Sequence, residues 1–185
     1  MHGLAGAGRI NNDLLEQYES LRTAINNGDW DAANDFLSNN EDAKSARITD
    51  RGGTVLHVAV FVGSREIVEE LVDSLLSEEE LEIKDDEGFT ALAYAAIQQH
   101  KTEMLDCILE KNPNLLNIPD HSNRIPLIVA LEYGNIKVAR YLYSASLTYH
   151  QRLSDIDAST ILTQFVLLNH FGKDPNYSFF FRQLL

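Results

Sequence analysis

Apolar positions along the chain fall into pairs of short helical stripes separated by a turn. The pattern is clearest between Thr54 and Val72. Leu56, Ala59 and Val60 share one helix face, Gly63 interrupts it, and Ile67, Val68, Leu71 and Val72 make the stripe of a second helix. The layout repeats on both sides. Leu21, Ala24 and Ile25 lead to Gly28 and then to Ala32, Ala33, Phe36 and Leu37. Leu92, Ala95 and Ala96 lead to Met104, Leu105, Ile108 and Leu109, and Leu127, Ala130 and Leu131 lead past Gly134 to Val138, Ala139, Leu142 and Tyr143. Glu19, Thr54, Thr90, Ile125 and Thr160 hold equivalent places at spacings of 35, 36, 35 and 35 residues. Ile48, Ile83, Ile118 and Leu153 keep a separate beat of 35. Two series with one period predict stacked helix-turn-helix repeats, an all-α solenoid rather than one closed core. Isolated helices under ~12 residues are marginal in water, so each helix here depends on its neighbours.

Punctuation residues set the boundaries. Gly28, Gly63 and Gly134 accept the left-handed conformation that closes a helix. Asp29, Thr54, Ser64 and Asn135 are placed to cap the helices that follow them, with Trp30 at the start of the helix after Asp29. Asn123 stands where the other units have glycine and tolerates the same backbone. Pro126 sits at a first helical position, where its missing N–H costs nothing, and Asn112-Pro113 stops a helix. Leu37 to Ile48 reads as a loop. Ser77 to Asp86 reads as an acidic solvated loop, with a docking strip for a basic partner as the sharper alternative. The turn around Gln99-His100-Lys101 lacks glycine and holds one extra residue, so it is expected to be looser than its equivalents. Residues 11–150 are expected to hold repeats one to four. Thr160, Leu162 and Phe165 keep the inner-helix spacing, Gly172 comes late, and Phe179 to Phe181 with Leu184 and Leu185 make an apolar ending. Residues 151–185 are therefore expected to be a degenerate or truncated fifth repeat of a longer parent protein, and residues 1–10, rich in Gly and Ala, a linker or cloning remnant.

Composition narrows the function. A hydrophobic content of 44% suits a continuous core. A net charge of −13 repels phosphate backbones and anionic membranes, so no nucleic acid is expected as a partner. No apolar run approaches the ~20 residues of a membrane span, so this segment is not expected to insert. Met1 to Gly8 lacks the basic start and apolar run of a signal peptide. One cysteine, Cys107, forbids an internal disulfide and suits a reducing, cytoplasmic compartment.

Candidate chemistry is sparse. The histidines at 2, 57, 100, 121, 150 and 170 do not pair at metal-ligand spacing, and Cys107 has no second cysteine. Glu103 and Asp106 beside Cys107 argue against a reactive thiolate. No phosphate-binding glycine loop, Gly-x-Ser-x-Gly or His-Glu-x-x-His occurs. No catalytic, metal-binding or cofactor-binding residue is assigned, and the chain is read as a non-enzyme. His57, three residues after Thr54, is read as structural rather than catalytic.

Gly52-Gly53-Thr54-Val55-Leu56-His57-Val58-Ala59, with Gly63, Ile67, Val68 and Leu71, resembles the ankyrin repeat, whose hallmark is Gly-x-Thr-Pro-Leu-His-x-Ala, then Gly, then Ile/Val-Val-x-x-Leu-Leu. Gly88-Phe89-Thr90-Ala91-Leu92-Ala93-Tyr94-Ala95 and Ile125-Pro126-Leu127-Ile128-Val129-Ala130 match in part. The resemblance covers about residues 18–143 well and 154–185 poorly. Gly28-Asp29-Trp30, Ala46-Arg47-Ile48-Thr49, Glu69-Glu70-Leu71-Val72, Lys111-Asn112-Pro113 and Tyr141-Leu142-Tyr143-Ser144 are similar to plant ankyrin proteins that end in a membrane-embedded Pro-Gly-Gly domain.

The resemblance implies units of a β-turn finger plus two antiparallel helices, with fingers and inner helices forming a concave surface that binds a protein partner. Carried onto this chain, it assigns Asp50, Arg51, Asp86, Glu87, Phe89, His121 and Arg124 to the fingers. It assigns Phe61, Val62, Ile97, Gln98, Glu132 and Tyr133 to the inner-helix face. The competing reading buries Phe61, Val62 and Ile97 between repeats. In the family the histidine at the position of His57 links neighbouring turns. Arg22, Ala93, Ile128 and Thr163 stand at the other four places, so no histidine ladder is expected, and turn-to-turn bonding should be weakest near Ile125. The narrower resemblance implies a domain on the cytosolic side of a membrane, in plant defence or stress signalling. The alternatives are a regulatory or oligomerisation domain of a multi-pass membrane signalling protein, self-associating through its C-terminal end, or an accessory domain of an enzyme.

Overall fold

The structure is a computed structural model that describes residues 16–98, 102 and 104–171, with residues 165–171 described by their backbone alone. The described residues form helices and turns, with no strand among them. The first unit pairs α1 (Glu19–Asn27) with α2 (Trp30–Asn39), and the second pairs α3 (Val55–Val62) with α4 (Arg65–Glu70). A short α5 (Glu78–Leu81) follows. The third unit pairs α6 (Ala91–Ile97) with α7 (Met104–Lys111), the fourth pairs α8 (Pro126–Glu132) with α9 (Ile136–Thr148), and α10 (Asp155–Phe171) closes the series. Inner helices stack in chain order, α1 on α3, α3 on α6, α6 on α8 and α8 on α10, while α4 packs on α7 in the outer row. One continuous core of aliphatic side chains runs through the stack, from Leu21 and Ile25 to Ile161.

Local chemistry explains the breaks. Gly63 takes φ 76°, and its N–H donates to Ala59 O at 3.0 Å and to Val60 O at 3.1 Å. Asn123 stands at φ 60° in the place of a glycine. Asp29 accepts from Ala32 N, Pro126 opens α8, and Asn112 accepts from Asn114 N after α7 has ended. Ser64 occupies a cap position but its hydroxyl makes no cap bond. The outer helix of unit two continues beyond α4 as a π-helical stretch, Leu71–Leu75.

Three expectations are corrected. Leu37 to Ile48 is not all loop: α2 runs to Asn39 and a 3-10 turn covers Glu41–Lys44. Ser77 to Asp86 is not merely solvated. Ser77 and Glu80 form a reciprocal capping box that starts α5, Glu82 Oε1 accepts from Asn112 Nδ2 at 2.9 Å, and Asp85 is buried. Thr160 does not open a fifth inner helix. Ser154 caps α10 six residues earlier, accepting from Asp157 N at 3.1 Å, and Thr160 lies inside the helix, donating to Ile156 O. The fifth unit is out of phase as a result. Leu56, Leu92 and Leu127 are buried, but Leu162, the next in the series, is 39% exposed, and Ile161 is buried instead. The turn at 99–101, the apolar ending from Gly172 to Leu185 and the linker at 1–10 lie outside the described residues.

Candidate functional site

The loops that precede the inner helices fold as tight fingers. Asp85 N–H donates to Phe89 O at 2.9 Å, and Asp120 N–H donates to Arg124 O at 3.0 Å. Each finger is braced by its first side chain. Asp85 Oδ1 accepts from Glu87 N and Phe89 N, and Asp120 Oδ1 accepts from Ser122 N and Arg124 N. Thr49 does the same in unit two, its Oγ1 accepting from Gly53 N at 2.8 Å. Neighbouring fingers are tied through the backbone. Asp86 N–H donates to Arg51 O at 2.9 Å, whereas His121 N–H reaches Glu87 O at the longer distance of 3.4 Å. The looser link is the one beside Ile125, as expected.

His57 locks unit two to unit three. Its Nε2 lies 2.9 Å from Phe89 O, which can only accept, so Nε2 carries the hydrogen. Nδ1 then accepts from Thr54 N at 3.2 Å and faces Thr54 Oγ1 at 2.9 Å, holding the start of α3. Burial lowers the imidazole pKa, opposed by the bond to Phe89 and the charge of Asp85, and assisted by Arg47. The neutral tautomer is the one this geometry uses. Arg22, at the equivalent place one unit earlier, also reaches the next unit but at a different atom: its Nη1 donates to Ile48 O at 2.8 Å, not to Gly53, which stands where Phe89 does. An arginine thus ties unit one to unit two, and a histidine ties unit two to unit three.

A pH dependence follows. The unfolded chain holds the His57 proton more tightly than the folded one, so this residue's contribution is intact above a pH of about 6.5 and falls as the solution is acidified. Urea titrations between about pH 7.5 and 5.5 should show stability declining by up to ~1.4 kcal/mol per pH unit from this group, with the decline reduced in His57→Asn. An identical slope in the variant would rule out a buried neutral imidazole.

Beside His57 opens a groove of ≈ 320 Å³, lined by Arg22, Asn26, Asp50, Arg51, Phe61 and Tyr94 among others. Phe61 is 53% exposed, and its ring stands 6.1 Å from that of Tyr94, which in turn meets His57 edge-on at 6.2 Å. Arg51 pairs with Glu87 at 3.4 Å and Arg47 with Asp86 at 3.2 Å, both on exposed side chains, so neither contributes much to stability. The structure thus brings the assigned residues Asp50, Arg51 and Phe61 together, with Glu87 and Asp86 tied to the same finger tips. Arg22, Tyr94 and His57 join them without having been assigned; the signal available for Arg22 was its place in the 35-residue series.

The other assigned residues divide. Arg124 is bound by Asp120 and by Glu132, at 2.6 Å for the second, and its guanidinium lies 5.9 Å over the Phe89 ring. Tyr133 is 49% exposed, and His121 and Glu132 lie at the surface. Val62, Ile97 and Gln98 are half-buried, with Val62 and Ile97 packed against the core. Phe89 is corrected: it is 1% exposed and belongs to the core, so it offers nothing to a partner at the surface. The finger carbonyl at Phe89 is used by His57 while its ring turns inward. The reading that buries Phe61 fails at that residue.

Cys107 is half-buried and its Sγ donates to Met104 O. Burial pushes the thiol pKa up to about 11, with Glu69 and Asp73 on the neighbouring outer helix adding to the rise. No group of three or more His, Cys, Asp or Glu side chains is arranged to hold a metal among the described residues. Nor, among them, is any helix long and apolar enough to cross a membrane.

A family model described as ankyrin repeats (3 copies) matches residues 20–115 and again residues 69–152. The two matches overlap and together run through all four helix pairs. No curated protein matches the chain.

Proposed function

The chain belongs to the ankyrin-repeat family, whose repeats generally mediate protein–protein interaction, and from that premise we propose that it binds a protein partner on the concave face formed by its fingers and inner helices. The observation that carries this reading is the aromatic groove. Phe61 leaves 53% of its surface open on α3, whose other apolar residues are buried or half-buried. Aromatic side chains with a polar rim are what partner proteins engage most strongly. Asp50, Arg51, Asp86 and Glu87 supply that rim. The family is typically non-catalytic, and binding without chemistry is the role proposed. The narrower resemblance to plant ankyrin proteins supports placing the contact on the cytosolic side of a membrane, in defence or stress signalling.

The double variant Phe61→Ala, Tyr133→Ala is expected to keep its circular-dichroism melt, because both side chains are half exposed. Proximity labelling from the full chain should then lose the partner by roughly tenfold or more. Retention of the same labelled partner by a folded double variant would defeat the concave-face reading.

A second reading is self-association through the C-terminal end. Leu147 at 60%, Ile156 at 71% and Leu162 at 39% exposure favour it. Light scattering across micromolar concentrations separates the two readings: a constant monomer mass counts against self-association.

A further inference from the structure

We infer that the groove beside His57 receives a basic side chain, a lysine or arginine on an exposed segment of the partner protein. The inference rests on the concave-face reading and adds the chemistry of what enters.

Two aromatic rings line the groove. Phe61 and Tyr94 stand 6.1 Å apart and tilted by 52°, adjoining one another in the lining. An aromatic face is electron-rich and attracts a cation placed over it, while the aliphatic stem of lysine or arginine packs against the same ring. An incoming carboxylate meets the unfavourable sign of that field.

The charges in the groove point the same way once their partners are counted. Arg51 is balanced by a carboxylate, and Arg22 is fixed to a backbone carbonyl but keeps its charge. Arg22 Nη1 donates to Ile48 O at 2.8 Å, and Arg51 faces Glu87 at 3.4 Å. Asp50 is exposed at the rim and makes no ion pair among the described residues. Asp85 also lines the groove, its Oδ1 held by backbone N–H groups, and its charge acts on the neighbouring His57 ring. With Arg51 balanced by Glu87 from outside the lining, the carboxylates of Asp50 and Asp85 stand against the single guanidinium of Arg22. The whole molecule adds a net charge of −13, which draws a cationic segment in and repels an anionic one.

Selection from a library of random short peptides displayed on phage, against the full chain, tests this assignment. Enriched peptides should carry lysine or arginine, and changing that residue to glutamine should abolish enrichment. In fluorescence-anisotropy titrations, Asp50→Asn should weaken binding about fivefold, the scale of one exposed ion pair. Phe61→Leu, which keeps apolar bulk but removes the π face, should weaken it by a similar factor. Added salt should lower the affinity further. Both substitutions are at exposed positions, and unchanged melts will confirm the fold. Enriched peptides that depend on Phe61 but are acidic or uncharged would overturn the basic-side-chain assignment and leave the concave-face reading standing. Peptides indifferent to both Phe61→Ala and Tyr133→Ala would overturn the concave-face reading itself. A selection that enriches nothing sensitive to Asp50 overturns the inference.

Discussion

Gly88→Ala is expected to destabilise the protein by about 3 kcal/mol or more, against roughly 1–2 kcal/mol for Gly134→Ala. Both glycines have positive φ, 87° and 70°, so both substitutions carry the left-handed penalty. Their surroundings differ. A Cβ on Gly134 meets nothing within 4 Å, whereas a Cβ on Gly88 would lie 2.4 Å from His121 N and 2.7 Å from the His121 ring. His121 N is the atom that ties the third finger to the fourth by donating to Glu87 O. The added methyl must push that finger away, and the longest of the finger links is the one that breaks. Urea denaturation gives the two free energies, and hydrogen exchange at the His121 amide should quicken in Gly88→Ala alone. Equal losses for the two variants would show that the fingers do not approach as closely as described.

Leu92→Ala should lower stability by about 3 kcal/mol, and Leu162→Ala by less than about 0.5 kcal/mol. The two leucines occupy the same place in the 35-residue series. Leu92 is 0% exposed between inner helices, so truncation leaves a cavity that its neighbours cannot fill. Leu162 is 39% exposed on α10, so most of the removed surface was already in water. Ile161→Ala, at a residue 0% exposed, should resemble Leu92→Ala instead. A large loss at Leu162 with a small one at Ile161 would restore the original phase of the fifth unit.

These two cases show what the sequence could and could not reveal. Positions whose backbone demands a particular residue were readable one by one: Gly63 and Asn123 in left-handed turns, Thr54 ahead of α3, Pro126 at the start of α8. Four helix pairs follow one another along the chain at about the spacing of the period. Extended once more, the same period misled, because it has no way to register a competing local signal. Ser154-x-x-Asp157 is a cap that opens a helix early, and nothing between Asp155 and Phe171 stops it. Ser77-x-x-Glu80 was overlooked for a similar reason, since a run of acidic residues masked a capping box. Within the groove, Phe61 and Arg51 were found by carrying the family pattern across. Phe89 was misplaced by the same step: a fingertip position and an inward ring differ by a side-chain direction that spacing does not encode. Asp85, Asp120 and Arg22 act on loop atoms whose positions only the folded chain defines.

The side chain of Asn135 joins two units in a way that bears on protein engineering. It caps its own helix by accepting from Val138 N at 3.4 Å, and its Nδ2 donates to Ala96 O at 3.1 Å and to Gln98 O at 2.7 Å, at the end of α6. The last carbonyls of one inner helix are thus satisfied by a residue almost forty positions downstream. Shortened forms of the protein that stop before Asn135 would leave those carbonyls open, and swapping in a foreign fourth repeat without an asparagine there would do the same. Excision boundaries for a minimal fragment therefore belong after α9, with the third and fourth repeats kept as one piece.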